Sequence, residues 1–408
     1  MKCFETIIIG GGISGLACGK ALSAGGASFL LIAKRVGGRI SAPGNLMWNL
    51  GASYITSDYH HTSCFIRRNK RFRRRDTYFW DRDRFLTVFQ PRNLKRLPSI
   101  GRLYRRLACF RRHLNLLRRR CIDLTQVEAL QLDPLLAEYV KLPARQFILE
   151  NCLSKVNTIF ANPIVNSTVF VPADEINTFN YLDALLSILL PTYAVDIRGT
   201  VAALTDGWSD RIRQAEVFSV DRLDRDLFRV STADADFQAR RVVIATPPSA
   251  ASVLCSDWPA DDVAGVRETT KCALLVRGVR KLAYVPGKTV FLRPGHTTTV
   301  LFPNEAASGD VLFTDTLDPD LAEYYVNYRI VSAVRWQPAI VLAGSAWRSL
   351  EPLPGVYAIG DRNICGLEDS YLTGVCAARR ILLEKPSPKA RDITSRIDHV
   401  TSQVGVES

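Results

Sequence analysis

Three observations predict an α/β fold in which a Rossmann-type dinucleotide-binding domain is interrupted by an α+β substrate domain. A strand from Glu5 to Gly10 runs into a glycine turn and a helix, and a second strand, Ser28 to Ile32, follows, which is a βαβ unit. Strand character returns after Glu216, in Val217 and Val220, in Leu227 to Ser231, and in the continuous apolar run Val242 to Ala245 that a sheet covered on both faces requires. A final strand, Gly355 to Gly360, leads through a loop into a helix-like stretch from Tyr371 to Leu383. The pieces 1–60, 196–250 and 350–385 therefore build the dinucleotide-binding domain. Residues 61–195, basic and then mostly helix-like, and 251–349 build the substrate domain. Residues 386–408 are polar without apolar period and read as a flexible tail.

With 408 residues, 47% hydrophobic and 23% charged, the chain can bury a full core, which excludes a disordered protein. The net charge of +13 is uneven: residues 61–120 hold 20 Lys and Arg against 3 Asp, a local +17, and the rest of the chain is net −4. That excludes a nucleic-acid coat over the whole surface. Phe65, Phe72, Tyr78, Phe79 and Trp80 are interleaved with these cations. Three uses fit the segment: a solvated helical face; contact with an anionic or carrier-bound substrate, an acidic protein or an acidic lipid surface; or nucleic acid, the least favoured. Ten scattered cysteines without a CxxC or a Cys/His cluster read as free thiols in a reducing compartment, and no spacing suggests a metal. Strand character begins too close to Met1 for a secretory signal. The apolar stretch Tyr181 to Val195 is interrupted by Asp183 and Pro191 and falls short of the roughly 20 residues a span needs. The expectation is a cytoplasmic protein, soluble or peripherally attached to a membrane.

Gly10-Gly11-Gly12-Ile13-Ser14-Gly15 is a GxGxxG between strand and helix. Gly10 allows the turn, Gly12 lets backbone approach a diphosphate, Gly15 lets helix pack on strand, and the helix N-terminus faces the phosphate charge. At the end of the second strand, Ala33-Lys34-Arg35-Val36-Gly37-Gly38-Arg39-Ile40 adds a glycine pair flanked by three cations. Together these motifs resemble the flavin-containing amine oxidase superfamily, which includes amine oxidases, protoporphyrinogen oxidases, renalase and carotenoid desaturases. The resemblance implies a GR2-like FAD-binding domain in which Lys34, Arg35, Gly37, Gly38 and Arg39 wrap the cofactor.

Further segments carry the resemblance. Trp48-Asn49-Leu50-Gly51-Ala52-Ser53-Tyr54-Ile55 is similar to the family's D-L-G-A-x-x-I segment under the flavin, and Val217 to the strand that reads the adenine. Thr246-Pro247 falls in an A-T-P turn, and Gly355 to Asp361 is similar to G-L-Y-x-A-G-D, placing Gly360 and Asp361 at the ribityl or phosphate region. Gly366 to Gly374, with Leu367, is similar to S-x-E-G-A-x-x-S-G, a helix start whose amides polarise the flavin. Cys365 does not match the family's thioether position, so the implied FAD is non-covalent. One departure stands out: the position that supplies a carboxylate to the adenosine ribose is Ala33, and the loop after it is about two residues short. This predicts a weakened or rearranged hold on the nucleotide.

By resemblance to a Y-T-K-x-x-L strand, Lys271 in Thr269 to Leu274 would hold a water at flavin N5, and Tyr54, Trp336 and Tyr371 would face the substrate. The implied activity is oxidation of an amine C–N bond by hydride transfer to flavin, with reoxidation by oxygen. Two other functions remain open. One is a desaturase or porphyrinogen-type oxidase acting on C–C bonds of a lipid-like or anionic small molecule. The other is an inactive flavin-fold protein that binds an acidic partner through residues 61–120.

Overall fold

The computed structural model describes residues 2–40, 50–81, 84–304 and 308–384; Trp48 and the predicted tail 386–408 lie outside them. Strand β1 (Lys2–Gly11) is fully buried from Thr6 to Ile9, four β-branched residues suited to a sheet covered on both faces. The chain turns through Gly12 into helix α1 (Ile13–Ala24) and returns as β2 (Phe29–Val36), parallel to β1. A Cβ on Gly15 would lie 2.1 Å from the Gly10 carbonyl oxygen, so only glycine lets the helix sit this close to the turn. On its other side β1 pairs in parallel with Asp236–Ile244. That strand pairs antiparallel with Leu227–Thr232 along one half, which in turn pairs antiparallel with Val217–Asp224, and in parallel with Val356–Ala358 along the other. Ile212–Gln214 completes the sheet beside β2.

The basic insertion begins with strands, where the sequence suggested mostly helix. Arg67–Arg71 pairs with Thr192–Asp196, which also pairs with Tyr54–Thr56. Thr77–Asp81 and Arg84–Leu86 join a large second sheet through Thr289–Phe291. Arg67–Arg71 and Thr77–Asp81 find partners more than 100 residues away and charged residues hide their period-two pattern, while Arg84–Leu86 pairs locally with Thr77–Asp81. Helix α2 (Leu97–Arg120) then buries Leu103, Leu107, Phe110, Leu114 and Leu117, an apolar stripe at three- and four-residue spacing. Several shorter helices pack on it, among them α3 (Thr178–Ala184), whose N-cap Asn177 accepts from the Asn180 amide at 2.9 Å.

Strands β3 (Arg267–Arg280) and β4 (Tyr325–Leu342) are paired antiparallel at one edge of the second sheet. The chain returns to the first sheet before α4 (Leu367–Leu383), which lies against α1. A Cβ on Gly374 would lie 2.1 Å from the Ser14 carbonyl oxygen, so the two helices cross backbone to backbone. Among the described residues no helix is long and apolar enough to cross a membrane.

Candidate active site

The two glycine loops meet at the C-terminal end of β1. Gly37 and Gly38 have φ of +98° and +52°, left-handed conformations that favour glycine, and a Cβ on Gly38 would lie 3.2 Å from the Gly12 Cα. Gly12 itself caps α1 with an ordinary φ of −72°, and nothing lies within 4 Å of where its Cβ would be. The helix N-terminus at Ile13 and Ser14 thus opens on free space. The shortened loop after Ala33 lets β2 continue across the turn: Val36 pairs with Gly11, and the Gly37 amide donates to the Gly11 carbonyl at 2.7 Å. Lys34 points out to Glu216 at 2.9 Å, both groups exposed, and Arg35 lies over the Trp336 ring at 5.1 Å. The Ala215 amide donates to the Ala33 carbonyl at 3.1 Å, which brings the start of the Val217 strand to the end of β2.

Arg39 is half-buried, with 34% of its side chain accessible. It donates to the Ala339 carbonyl and is ion-paired with Asp361, each at 2.8 Å. Burial alone would lower its pKa; Asp361 more than offsets this and keeps the guanidinium charged. Gly51 fits under it because a Cβ there would lie 2.1 Å from the Arg39 carbonyl oxygen, and the Ala52 amide donates to that oxygen at 3.1 Å. Tyr54, Tyr59, Asp183 and Cys365 are likewise half-buried.

At the start of α4, Leu367 is half-buried and the next two residues are buried acids. Glu368 accepts from the His61 and Thr62 amides and the Thr62 hydroxyl at 2.7, 3.0 and 2.7 Å. Asp369 forms a bidentate pair with Arg118 of α2 at 2.9 and 2.6 Å. Burial works against the Arg118 charge, and Asp369 reverses that effect and raises its pKa. Asp183 of α3 stands near this pair; burial pushes its carboxyl up to about 7, Arg118 pulls it down and Asp369 pushes it up. The sequence reading missed Arg118, Asp369 and Asp183. The only signal for Asp183 was a charge interrupting an apolar stretch.

A cavity of about 1160 Å³ opens between the second sheet and the helices of the insertion. Its walls include Phe72, Phe79, Phe160, Phe291, Phe302 and Phe313, and its lining guanidiniums belong to Arg71, Arg73 and Arg74, all exposed. None of the described residues lining it is acidic. Tyr54 reaches its wall and donates to the Thr168 hydroxyl at 3.3 Å; burial pushes the Tyr54 phenol up to about 12. Tyr54 is also within electrostatic reach of Asp183 and Cys365.

The other predicted residues sit elsewhere. Trp336 of β4 donates from Nε1 to the Leu50 carbonyl at 2.7 Å, and Tyr371 packs on Phe65 with ring centroids 5.8 Å apart; neither is on the cavity wall. Lys271 of β3, buried opposite Trp336 in register, has its ammonium 2.5 Å from Asp315 Oδ1 and 5.8 Å from the Phe170 ring centroid. Among the described residues no group of three or more His, Cys, Asp or Glu could hold a metal ion.

Residues 8–68 match the family described as NAD(P)-binding Rossmann-like domain. No curated protein matches the sequence. Solved structures align along nearly the whole chain. Wild-type putrescine oxidase bound to putrescine gives a TM-score of 0.68 at 15% identity, covering 94% of this chain and 99% of that one. A CLA-producing fatty acid isomerase from P. acnes gives 0.69 at 14%, covering 92% and 98%. Cyclohexylamine oxidase from Brevibacterium oxydans IH-35A gives 0.64 at 14%, covering 97% and 99%. The chain thus has an α/β, Rossmann-containing structure with the fold that these proteins share.

The residues present fit a flavin nucleotide. The Thr246 hydroxyl is buried without a hydrogen-bond partner, Gly12 faces open space, and Arg39 is a half-buried cation paired with Asp361. The adenosine end differs, since Ala33 brings no carboxylate and β2 runs over Gly11.

Proposed function

We propose that this chain is an FAD-dependent oxidoreductase that removes hydrogen from carbon–carbon bonds of a long apolar substrate with an anionic head. The observation that carries the reading is the cavity of about 1160 Å³, larger than ordinary ligand pockets of about 300–1,000 Å³, with aromatic walls and charged groups only from arginine. Of the reactions that the sequence leaves open, this supports the second over amine oxidation. A protonated amine would pass three guanidiniums and meet no carboxylate on the cavity lining, whereas a carboxylate or phosphate head finds charge-assisted partners there.

Gly10, Gly12, Ile13, Ser14 and Gly15 would hold the diphosphate of a non-covalent FAD at the start of α1, and Arg39, Gly51, Ala52, Thr246, Gly360 and Asp361 would line its flavin half. A bound flavin supplies a two-electron hydride acceptor. Arg71, Arg73 and Arg74 hold the head group at the mouth, while the phenylalanine walls align the chain and exclude water. The Tyr54 hydroxyl, held by Thr168, orients the inner end. Phe89, Leu94 and Leu97 at the mouth are 68, 64 and 54% exposed, which suits delivery of the substrate from an acidic lipid surface.

Anaerobic mixing of the flavin-loaded protein with oleate, and separately with putrescine, tests the reading. Bleaching of the flavin by oleate with growth of conjugated-diene absorbance is expected. Bleaching by putrescine alone would overturn the carbon–carbon assignment and return the protein to amine chemistry.

A further inference from the structure

A Rossmann site commonly places an acid at the end of its second strand, where it accepts from the ribose hydroxyls of the nucleotide. Here β2, Phe29–Val36, contains no acid. Ala33 is packed against the glycine turn instead: it is buried, and a Cβ on Gly11 would lie 3.0 Å from its own Cβ. Ile32 stands opposite Ile9 and Val36 opposite Gly11, so Ala33, Lys34 and Arg35 bulge against Gly10 alone. Lys34 and Arg35 are exposed on this bulge.

The missing charge arrives from the neighbouring strand. Ile212–Gln214 runs parallel to β2 with Gln214 opposite Ala33, and Gln214 Nε2 donates to the Lys34 carbonyl at 3.3 Å. The Ala215 amide donates to the Ala33 carbonyl at 3.1 Å, and Glu216 is the next residue. Its carboxylate meets the Lys34 ammonium with Oε1 at 3.0 Å and Oε2 at 2.9 Å. An acid therefore stands beside the bulge. The side chains of Lys34 and Glu216 are 75 and 50% accessible, and a pair so exposed is weak. The fold gains little from it, and the carboxylate can exchange the ammonium for another donor.

We propose that Glu216 is the ribose carboxylate of this site, accepting from the adenosine hydroxyls in place of an acid at position 33. The proposal rests on the FAD reading above. The diphosphate belongs at the start of α1, where Gly12 faces open space, and the adenosine ribose is the next group along the nucleotide, which brings it to the end of β2. Ribose hydroxyls that leave water there need an acceptor, and an ionised carboxylate makes the stronger kind of hydrogen bond. The nucleotide end thus keeps its acid in space while losing it from the strand that usually carries it.

The test titrates FAD into flavin-free wild type, Glu216→Gln and Lys34→Met, reading flavin fluorescence, and then measures ADP and 2′-deoxy-ADP as competitors. Wild type should bind ADP about tenfold more tightly than 2′-deoxy-ADP, the worth of one charge-assisted hydrogen bond. Glu216→Gln should bind FAD roughly tenfold more weakly and lose most of the preference for ADP, with the Tm of flavin-free wild type, because the side chain is half accessible. Lys34→Met should keep the preference, since the carboxylate remains. A Glu216→Gln variant with wild-type FAD affinity and the wild-type preference would overturn the proposal while leaving the FAD reading standing. Equal loss of preference in Lys34→Met and Glu216→Gln would also overturn it, by showing that the ion pair matters as a prop for the loop. A wild type that binds no FAD would overturn the FAD reading, and the proposal with it.

Discussion

The nucleotide end and the cavity end of this molecule are held together in different ways. At the nucleotide end, backbone meets backbone: Cβ atoms on Gly15, Gly51 and Gly374 would each lie 2.1 Å from a main-chain oxygen. At the cavity end, side chain meets side chain, as in Phe72 against Phe302 at 4.7 Å and Phe79 against Phe160 and Phe291 at 5.1 and 5.5 Å. The first arrangement admits one residue type, so it can be read from the sequence, yet it says little about what is oxidised. The second admits many apolar sets of equal volume, so it is silent in the sequence and decides the substrate.

Substitutions can break this contrast. The largest effect is expected for Gly15→Ala, which has no space to fill; stability should fall by about 3 kcal/mol or more, read by urea unfolding. Gly12→Leu should do the opposite, because φ there is −72° and nothing lies within 4 Å. The variant should purify colourless and melt with the Tm of the flavin-free wild type, and retained flavin would show that the turn is not the cofactor seat. Next comes Arg118→Met, which strands Asp369 in the interior and should cost about 3–5 kcal/mol in the same unfolding assay. Adding Asp369→Leu should recover much of that loss.

The smallest effect on stability belongs to the mouth. Replacing Arg73 and Arg74 together with glutamate should leave the Tm nearly unchanged, since both are exposed. It should raise the KM for oleate roughly tenfold and abolish co-sedimentation with phosphatidylserine vesicles. Equal KM values in wild type and variant would remove the arginines from substrate recognition.

These differences also explain how much could be read in advance. Gly10, Gly15, Gly37 and Gly38 announced the nucleotide end because close approach and positive φ leave glycine no substitute there. The Ala33 departure was visible by counting, and in three dimensions it becomes a β2 ladder that reaches Val36. The strands at Arg67–Arg71 and Thr77–Asp81 were hidden, since their pairing depends on Thr192–Asp196 and Thr289–Phe291, far along the chain. Arg118 was one of 20 cations in its segment, and only tertiary packing sets it apart. Asp183 looked like a break in an apolar run because sequence cannot tell a charge facing solvent from one half-buried on a helix whose other residues are buried.

A cavity of about 1160 Å³ would hold on the order of 40 water molecules at about 30 Å³ each. Most of them would face apolar side chains, so any amphiphile that displaces them is favoured. The resting protein should therefore carry a passenger from its surroundings, visible as bound mass under native conditions. Each substrate molecule then arrives as a replacement, its measured affinity a ratio of two affinities, and the lipid composition around the protein becomes a competitive inhibitor of its own oxidation.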